Sequence, residues 1–113
     1  MKKFIIASIK YDIRVVNTYK DGGYDYTQSY PELAKHFESY DEAKKALDLI
    51  QANNTEHGYK QMTKSLRIFV KEPNSYKQVL KRDLETRTFY NDQTQTYESF
   101  THVKNVMPFD DES

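Results

Sequence analysis

The stretch FESYDEAKKALDLI, residues 37–50, decides the fold because it contains both the start signal and the apolar face of a helix. Ser39 at the N-cap and Glu42 three residues later form an S-x-x-E capping box. Apolar side chains recur at helical spacing and form one stripe: Tyr40, Ala43, Ala46, Leu47 and Ile50. A helix over residues 40–52 is too short to be stable alone, so we expect its stripe to pack against a sheet.

Strand patterns lie on both sides of this helix. Odd positions from Ile5 to Val15 are apolar and even positions from Ser8 onward are polar, which predicts one long strand with a single buried face. After the helix, Leu66, Ile68 and Val70 alternate with Arg67, Phe69 and Lys71 and predict another strand, which Pro73 closes. The helix therefore has a sheet to pack against.

The sequence DGG at residues 21–23 predicts a tight turn after the first strand. The turn lies at Asp21-Gly22 or at Gly22-Gly23, since glycine supplies the positive φ that such turns require. Pro31 ends the returning strand. Either turn places three tyrosines on the face of Ile13 and Val15, namely Tyr24, Tyr26 and Tyr30.

The pattern after residue 73 leaves two alternatives open. Ser75 and Gln78 have the spacing of a cap for a second short helix, whereas ETRTFYNDQTQTYESF, residues 85–100, favours a C-terminal hairpin that turns at Asn91-Asp92. The fold class is therefore α+β, with an antiparallel sheet of about three to five strands and one main helix on one face. We predict a single domain over residues 1–107 and a polar tail over residues 108–113.

Few residues have the chemistry of a catalytic or cofactor site. The chain lacks cysteine and has only three glycines, so a thiolate nucleophile, a P-loop and a dinucleotide fingerprint are excluded. Glu32 and His36 stand four residues apart, as do Glu98 and His102, but a metal site needs three or four ligands. We interpret both as ordinary surface pairs and predict no enzyme activity, no metal and no cofactor.

The amino-terminal segment has a charged start, but its apolar run ends at Lys10 and is shorter than the core of a signal peptide. No run of the sequence is long enough to cross a membrane. The sequence therefore predicts a cytoplasmic protein that does not bind a membrane.

The net charge of zero conceals a local imbalance. Residues 60–87 contain eight cations and three acids, a net charge of +5. Residues 88–113 contain one cation and five acids, a net of −4, and residues 32–59 contain three cations and six acids, a net of −3. These segments are solvated faces, or the acidic ones dock on a basic protein surface, or the basic aromatic segment 60–90 binds single-stranded nucleic acid.

The candidate partner-binding residues come from that basic segment and combine cations with tyrosines: Tyr59, Lys64, Arg67, Lys71, Tyr76, Lys81, Arg82, Arg87 and Tyr90. The tyrosines nearer the amino terminus leave two alternatives open. Tyr11, Tyr24, Tyr26 and Tyr40 belong to the core, with their hydroxyls at its rim, or remain exposed as interface residues.

The segment YDYTQSYPELAKHFESYDEAKKAL, residues 24–47, resembles small proteins encoded by phages and mobile elements of Firmicutes. These proteins have a hairpin, an A-K-x-F-x-S/T-x-x-E-A turn into a helix, and a strand. The match covers about residues 20–71 and is carried by Ala34, Lys35, Phe37, Ser39, Glu42 and Ala43. Small phage proteins of this kind include inhibitors of host defence such as anti-CRISPR proteins, so the resemblance implies a nuclease or another host protein as partner. The zero net charge departs from the strongly acidic inhibitors that mimic DNA.

We therefore predict a non-catalytic protein-binding module of the phage accessory or inhibitor type, which acts by occupying a host protein surface. The alternative is a single-stranded nucleic-acid-binding protein that uses residues 60–90. The oligomeric state is left open.

Overall fold

The structure, a computed structural model, describes residues 2–53 and 59–104, with only the backbone of residues 59–61. Its elements in chain order are β1 (Phe4–Ser8), β2 (Arg14–Thr18), β3 (Tyr24–Thr27), α1 (Tyr40–Asn53), α2 (Tyr59–Lys64), β4 (Leu66–Glu72), β5 (Ser75–Gln78), β6 (Leu84–Asn91) and β7 (Thr96–Val103). Single-turn 3-10 helices cover Pro31–Leu33 and Lys81–Asp83. The described strands form a five-stranded antiparallel sheet in the order β3-β2-β1-β4-β5 and a separate β6-β7 pair. The predicted α+β class is confirmed.

Helix α1 packs its predicted stripe on one face of the five-stranded sheet. Ala43, Leu47 and Ile50 are buried against strand residues that include Ile6, Val15, Leu66, Ile68 and Val70. The predicted cap is present, because the Ser39 Oγ accepts the backbone N–H of Glu42 at 3.1 Å. In a capping box the Glu42 carboxylate would accept the N–H of Ser39. Here it accepts the N–H of Glu38 instead, at 3.1 Å, so the second hydrogen bond is shifted by one residue.

The prediction of one long strand over residues 5–15 is wrong, because this segment is a hairpin of β1 and β2. The Ser8 Oγ accepts the backbone N–H groups of Lys10 and Tyr11 and closes the turn. Strand β1 is buried on both faces, and the alternation continues into the turn, where Ile9 is 52% exposed. Period-two alternation alone does not distinguish a strand from two strands joined by a side-chain-capped turn.

The β2–β3 hairpin has the predicted glycine turn but an altered register. Gly22 has a φ of +90°, as the turn requires. Val15 pairs with Tyr26, but a bulge between Val15 and Asn17 shifts the pairs that follow. The expectation of one tyrosine face is therefore confirmed only in part: Tyr24 packs against the core, Tyr26 is exposed, and Tyr30 lies beyond β3 in solvent.

Of the four tyrosines with core and interface alternatives, two pack against the core and two are exposed. Tyr24 and Tyr40 pack against the main core, and the Tyr40 ring meets Phe4 edge-on with ring centroids 6.2 Å apart. Tyr11 and Tyr26 are exposed. The turn at residues 9–12, which the sequence pattern did not predict, leaves Tyr11 exposed, whereas the packing of Tyr40 follows from its place on the predicted stripe of α1.

The two alternatives after residue 73 are resolved in favour of the hairpin. Residues 75–78 form strand β5, so the predicted second helix there is wrong. The turn at Pro73-Asn74 returns the chain onto β4, where Glu72 pairs with Ser75, and this pairing prevails over the local capping pattern. The C-terminal hairpin is confirmed as β6 and β7, joined by the turn that follows Asn91.

The predicted polar tail over residues 108–113 lies outside the described residues. Across residues 2–53 and 59–104, no helix is both long and apolar enough to cross a bilayer.

Candidate protein-binding surface

Strands β6 and β7 form a two-stranded arm, residues 84–103. Eight directly opposed pairs run without a bulge from Leu84 and Val103 at the base to Asn91 and Thr96 at the tip. Leu84 and Val103 pack into the main core, whereas residues 86–90 are all exposed. The arm therefore has a buried base and an exposed end.

Helix α1 fixes the base of the arm. The Asp41 carboxylate in its first turn accepts the backbone N–H of Thr101 at 3.0 Å. A further backbone hydrogen bond joins the N–H of Lys104 to the carbonyl of Asp83 at 2.9 Å. The capping helix that decides the fold therefore also sets the direction of the arm.

Aromatic rings cover both faces of the exposed part of the arm. On one face, Phe89 and Phe100 pack edge-on with ring centroids 6.1 Å apart. On the other, Tyr90 and Tyr97 do so at 5.1 Å. Exposure ranges from 43% for Phe100 to 76% for Tyr97. Paired exposed rings of this kind mark an interaction site more often than single exposed apolar residues do.

A groove of about 620 Å³ lies where the arm meets the body. Its walls are the start of β1, the first turn of α1 and the end of β7, and its apolar lining comprises Phe4, Tyr40, Phe100 and Val103. Phe100 belongs both to this groove and to the aromatic face of the arm. Phe100 therefore joins the groove to the Phe89–Phe100 face, and we call the groove together with the four rings Phe89, Tyr90, Tyr97 and Phe100 the arm surface.

The groove is also lined by polar and charged residues, namely Lys2, Glu38, Ser39, Asp41, Thr101 and His102. Lys2 Nζ donates to the carbonyl of Val103. His102 Nε2 lies 2.9 Å from Glu85 Oε1, and its Nδ1 is buried without a hydrogen-bond partner among the described residues. Burial raises the pKa of Tyr40, with Asp48 and Asp41 acting in the same direction and Lys44 against it, so this phenol is neutral at physiological pH.

The structure distributes the sequence-predicted binding residues over several surfaces. Tyr59 begins α2, and Lys64 ends it beside Arg67, whose Nη1 donates to the Lys64 carbonyl at 2.6 Å. Lys81 and Arg82 lie exposed on the turn before the arm. Arg87 and Tyr90 both lie on β6 but three residues apart, and therefore on opposite faces of the arm.

Lys71 and Tyr76 do come together, on the sheet face that is opposite α1. The Lys71 Nζ lies 4.8 Å from the centre of the Tyr76 ring, and the Tyr76 hydroxyl is 2.8 Å from His36 Nε2. His36 Nδ1 donates to the Ala34 carbonyl at 2.7 Å, since a carbonyl only accepts. Nε2 of the neutral ring is then the acceptor of the tyrosine proton, so this cluster holds the 30–36 segment onto β5.

We expect Tyr76→Phe to change the alkaline stability of the protein. Burial, followed by the charge of Glu32, raises the Tyr76 pKa above 10.0. The folded state therefore binds this proton more tightly than the unfolded state does, and the resulting stability is present below pH 10.0 and lost as pH rises through the folded pKa. The lost hydrogen bond costs about 1 kcal/mol at neutral pH.

Urea unfolding across the alkaline range measures this effect. The difference in unfolding free energy between wild type and Tyr76→Phe should shrink above pH 10.0. Parallel pH profiles for the two proteins would contradict the assignment.

The histidines do not pair as their spacing suggested. His36 bonds to Tyr76 and Ala34 rather than to Glu32, and the acidic partner of His102 is Glu85 across the arm rather than Glu98. Within the described part of the chain, no three His, Asp or Glu side chains converge to hold a metal ion.

The sequence pattern predicts the hairpin, but the charge pattern does not indicate Phe89, Tyr97 and Phe100 as candidate binding residues. A signal was present, because the consecutive aromatics Phe89 and Tyr90 must point to opposite faces of a strand. A strand that is aromatic on both faces is either central to a core or exposed on one face at least. In the described part of the chain no further strand lies beside the arm, and its four rings are exposed.

No protein-family model, curated protein or solved structure matches this chain.

Proposed function

We propose that this chain is a non-catalytic protein-binding module and that the arm surface is its binding site. The observation that carries the proposal is the pairing of exposed aromatic rings on both faces of the arm beside an apolar groove. Tyrosine and other aromatic residues are enriched among the residues that contribute most to protein–protein binding energy. The arm provides them on a ribbon whose base is fixed in the core.

The charge of the arm favours a protein over a nucleic acid as its partner. Residues 84–103 contain Arg87 against Glu85, Asp92 and Glu98, which gives a net charge of −2. Arg87 Nη2 is also 3.5 Å from Glu85 Oε1, so its charge is partly neutralised. Single-strand binding combines stacking rings with a basic groove, whereas the arm has one cation against three acids.

The proposed partner is a host protein with an apolar recess or ridge that complements the arm surface. Phe89 and Phe100 would pack on apolar side chains, and the groove at the base of the arm would take an apolar side chain from the partner. The resemblance of residues 20–71 to small phage and mobile-element proteins supports an inhibitor role, in which the chain acts by covering a surface that the host protein, for example a nuclease, needs for its own activity.

Binding to a captured partner should depend on the arm. The tagged protein is used to capture its partner from host-cell lysate, and the dissociation constant is then measured with the purified partner. Phe100→Ala is expected to weaken binding by at least about ten-fold, because buried aromatic anchors contribute about 2 kcal/mol or more. Tyr30→Ala is the matched control, since Tyr30 is 76% exposed and lies outside the arm.

Equal affinities of Phe100→Ala and wild type would contradict the assignment of this surface. The nucleic-acid alternative has its own test, a titration with labelled single-stranded oligonucleotides at several salt concentrations. Tight binding with a steep salt dependence, lost on replacing Lys81 and Arg82, would favour the alternative. We expect weak binding that does not depend on those residues.

A further inference from the structure

The outer edge of β6, which faces away from β7, exposes backbone N–H and C=O groups at every second residue. Thr86 is opposite Thr101, and the N–H of Thr101 points away from β6 to Asp41. Thr86 and Thr101 are therefore a pair without mutual hydrogen bonds, and the N–H and C=O of Thr86 also point out of the arm. Because the backbone groups of a strand alternate in direction, the N–H and C=O groups of Thr88 and Tyr90 point the same way.

At the base of this edge the outward N–H is already hydrogen-bonded, whereas the outward N–H groups farther along β6 are not. The N–H of Leu84, the preceding outward group, donates to the carbonyl of Lys81. Among the described residues, nothing hydrogen-bonds to the outward N–H groups of Thr86, Thr88 and Tyr90. Exposed edges are usually protected by charged side chains, proline or a bulge. Strand β6 has no lysine, proline or bulge, and its two charged residues, Glu85 and Arg87, lie 3.5 Å apart and partly neutralise each other.

We propose that β6 pairs with β6 of a second copy of this chain, antiparallel and centred on Thr88. Thr88 then faces Thr88 of the second copy, and Thr86 faces Tyr90. In this register every outward N–H of one β6 edge donates to an outward carbonyl of the other β6 edge. The result is a continuous sheet in the order β7-β6-β6-β7 with twofold symmetry, as most homodimers have. This inference does not rest on the proposed function, because the pairing is made by the backbone edge of β6.

The side chains fit this register. Arg87 lies directly opposite Phe89 of the second copy, where a guanidinium can stack on a ring. Glu85 lies opposite Asn91, so no like charges are directly opposed. The zero net charge of the chain also removes long-range repulsion between copies. A two-stranded ribbon is marginal on its own, and pairing would add the strands that stabilise it.

Strand β7 does not offer an equivalent edge. The N–H of Thr101 already donates to Asp41, so an approaching strand could form hydrogen bonds only with the backbone of Tyr97 and Ser99. A symmetric pairing of those residues is centred on Glu98 and would set Glu98 directly opposite Glu98 of the second copy. Like charges directly opposed across strands are destabilising, and the geometry therefore favours β6.

Light scattering over a concentration series tests the pairing with the full chain. The mass should rise from 13.4 kDa toward twice that value. Thr88→Pro removes one outward N–H and blocks the edge, and should weaken the dimer by at least about ten-fold. Ser99→Pro is the matched control, since Ser99 is opposite Thr88 in the same pair but points out of the β7 edge, and it should leave the dimer intact.

Disulfide trapping tests the register independently of any effect of proline on the arm. The chain has no cysteine, so Thr88→Cys introduces a single thiol. Opposed Cα atoms in such a pair are about 5.5 Å apart, within disulfide range. The two Thr86→Cys thiols would be about 14 Å apart along the strands. Crosslinking of Thr88→Cys but not of Thr86→Cys supports the proposal. Equal crosslinking of both variants, or a monomer mass at the highest soluble concentration, would overturn it.

Discussion

Replacing Leu47 with alanine is expected to lower the free energy of unfolding by about 2–5 kcal/mol, the usual cost of truncating a buried leucine. Leu47 is 6% exposed and lies in the core between α1 and the sheet. The removed atoms leave a cavity whose walls include strands from both sides of β1, so local collapse cannot fill it completely. Urea unfolding monitored by circular dichroism measures the change.

Leu49→Ala is the matched control for this prediction. Leu49 is on the same helix two residues away and is 37% exposed. The same chemical change there should cost less than about 1 kcal/mol, because little packing is lost. If both variants lost equal stability, the orientation of α1 on the sheet would be wrong.

The second large effect is expected for Gly22→Ala at the turn between β2 and β3. Gly22 has a φ of +90°, and a Cβ added there would lie 2.6 Å from the Asn53 Cβ and 2.8 Å from the Leu49 carbonyl oxygen. The turn is docked on the end of α1, where Asn53 Nδ2 donates to the Asp21 carbonyl at 2.7 Å. Strained backbone alone costs about 1–3 kcal/mol, and the clash adds to that cost.

Gly23→Ala provides the comparison within the same turn. A Cβ at Gly23 would meet Asp21 Oδ1 at 3.1 Å, and its backbone does not need the left-handed region. This variant should lose less than about 1 kcal/mol, since the smaller entropy of the unfolded chain offsets a small displacement of Asp21. Thermal unfolding of both variants measures the difference. Loss of stability in Gly23→Ala alone would contradict the geometry of the turn.

The parts of the fold that could be predicted are those that local physics determines. The α1 stripe, the Ser39 cap, strand β4 and the C-terminal hairpin each follow from side-chain periodicity or from turn residues. The division of residues 5–15 into β1 and β2 could not be predicted, because it depends on the burial of both faces of β1. Strand β5 likewise depends on pairing with β4.

The candidate binding surface was predicted less well than the fold. Charge along the sequence pointed to residues 60–90, but those cations lie on several elements in space. The arm combines residues from both of its strands, and its groove adds Lys2, Phe4 and the first turn of α1. Surfaces built from distant segments depend on tertiary contacts such as that between Asp41 and Thr101. No local pattern in the sequence encodes that contact.

The central claim is that the chain binds another protein through the exposed rings of the arm. Site-specific photocrosslinking tests it most directly, with a photoreactive phenylalanine analogue in place of Tyr97 or, as control, Tyr30. Both tyrosines are 76% exposed, but only Tyr97 lies on the arm. We predict that the Tyr97 probe crosslinks to one host protein in cells and that the Tyr30 probe does not. Crosslinking of that protein from Tyr30 with none from Tyr97 would contradict the account.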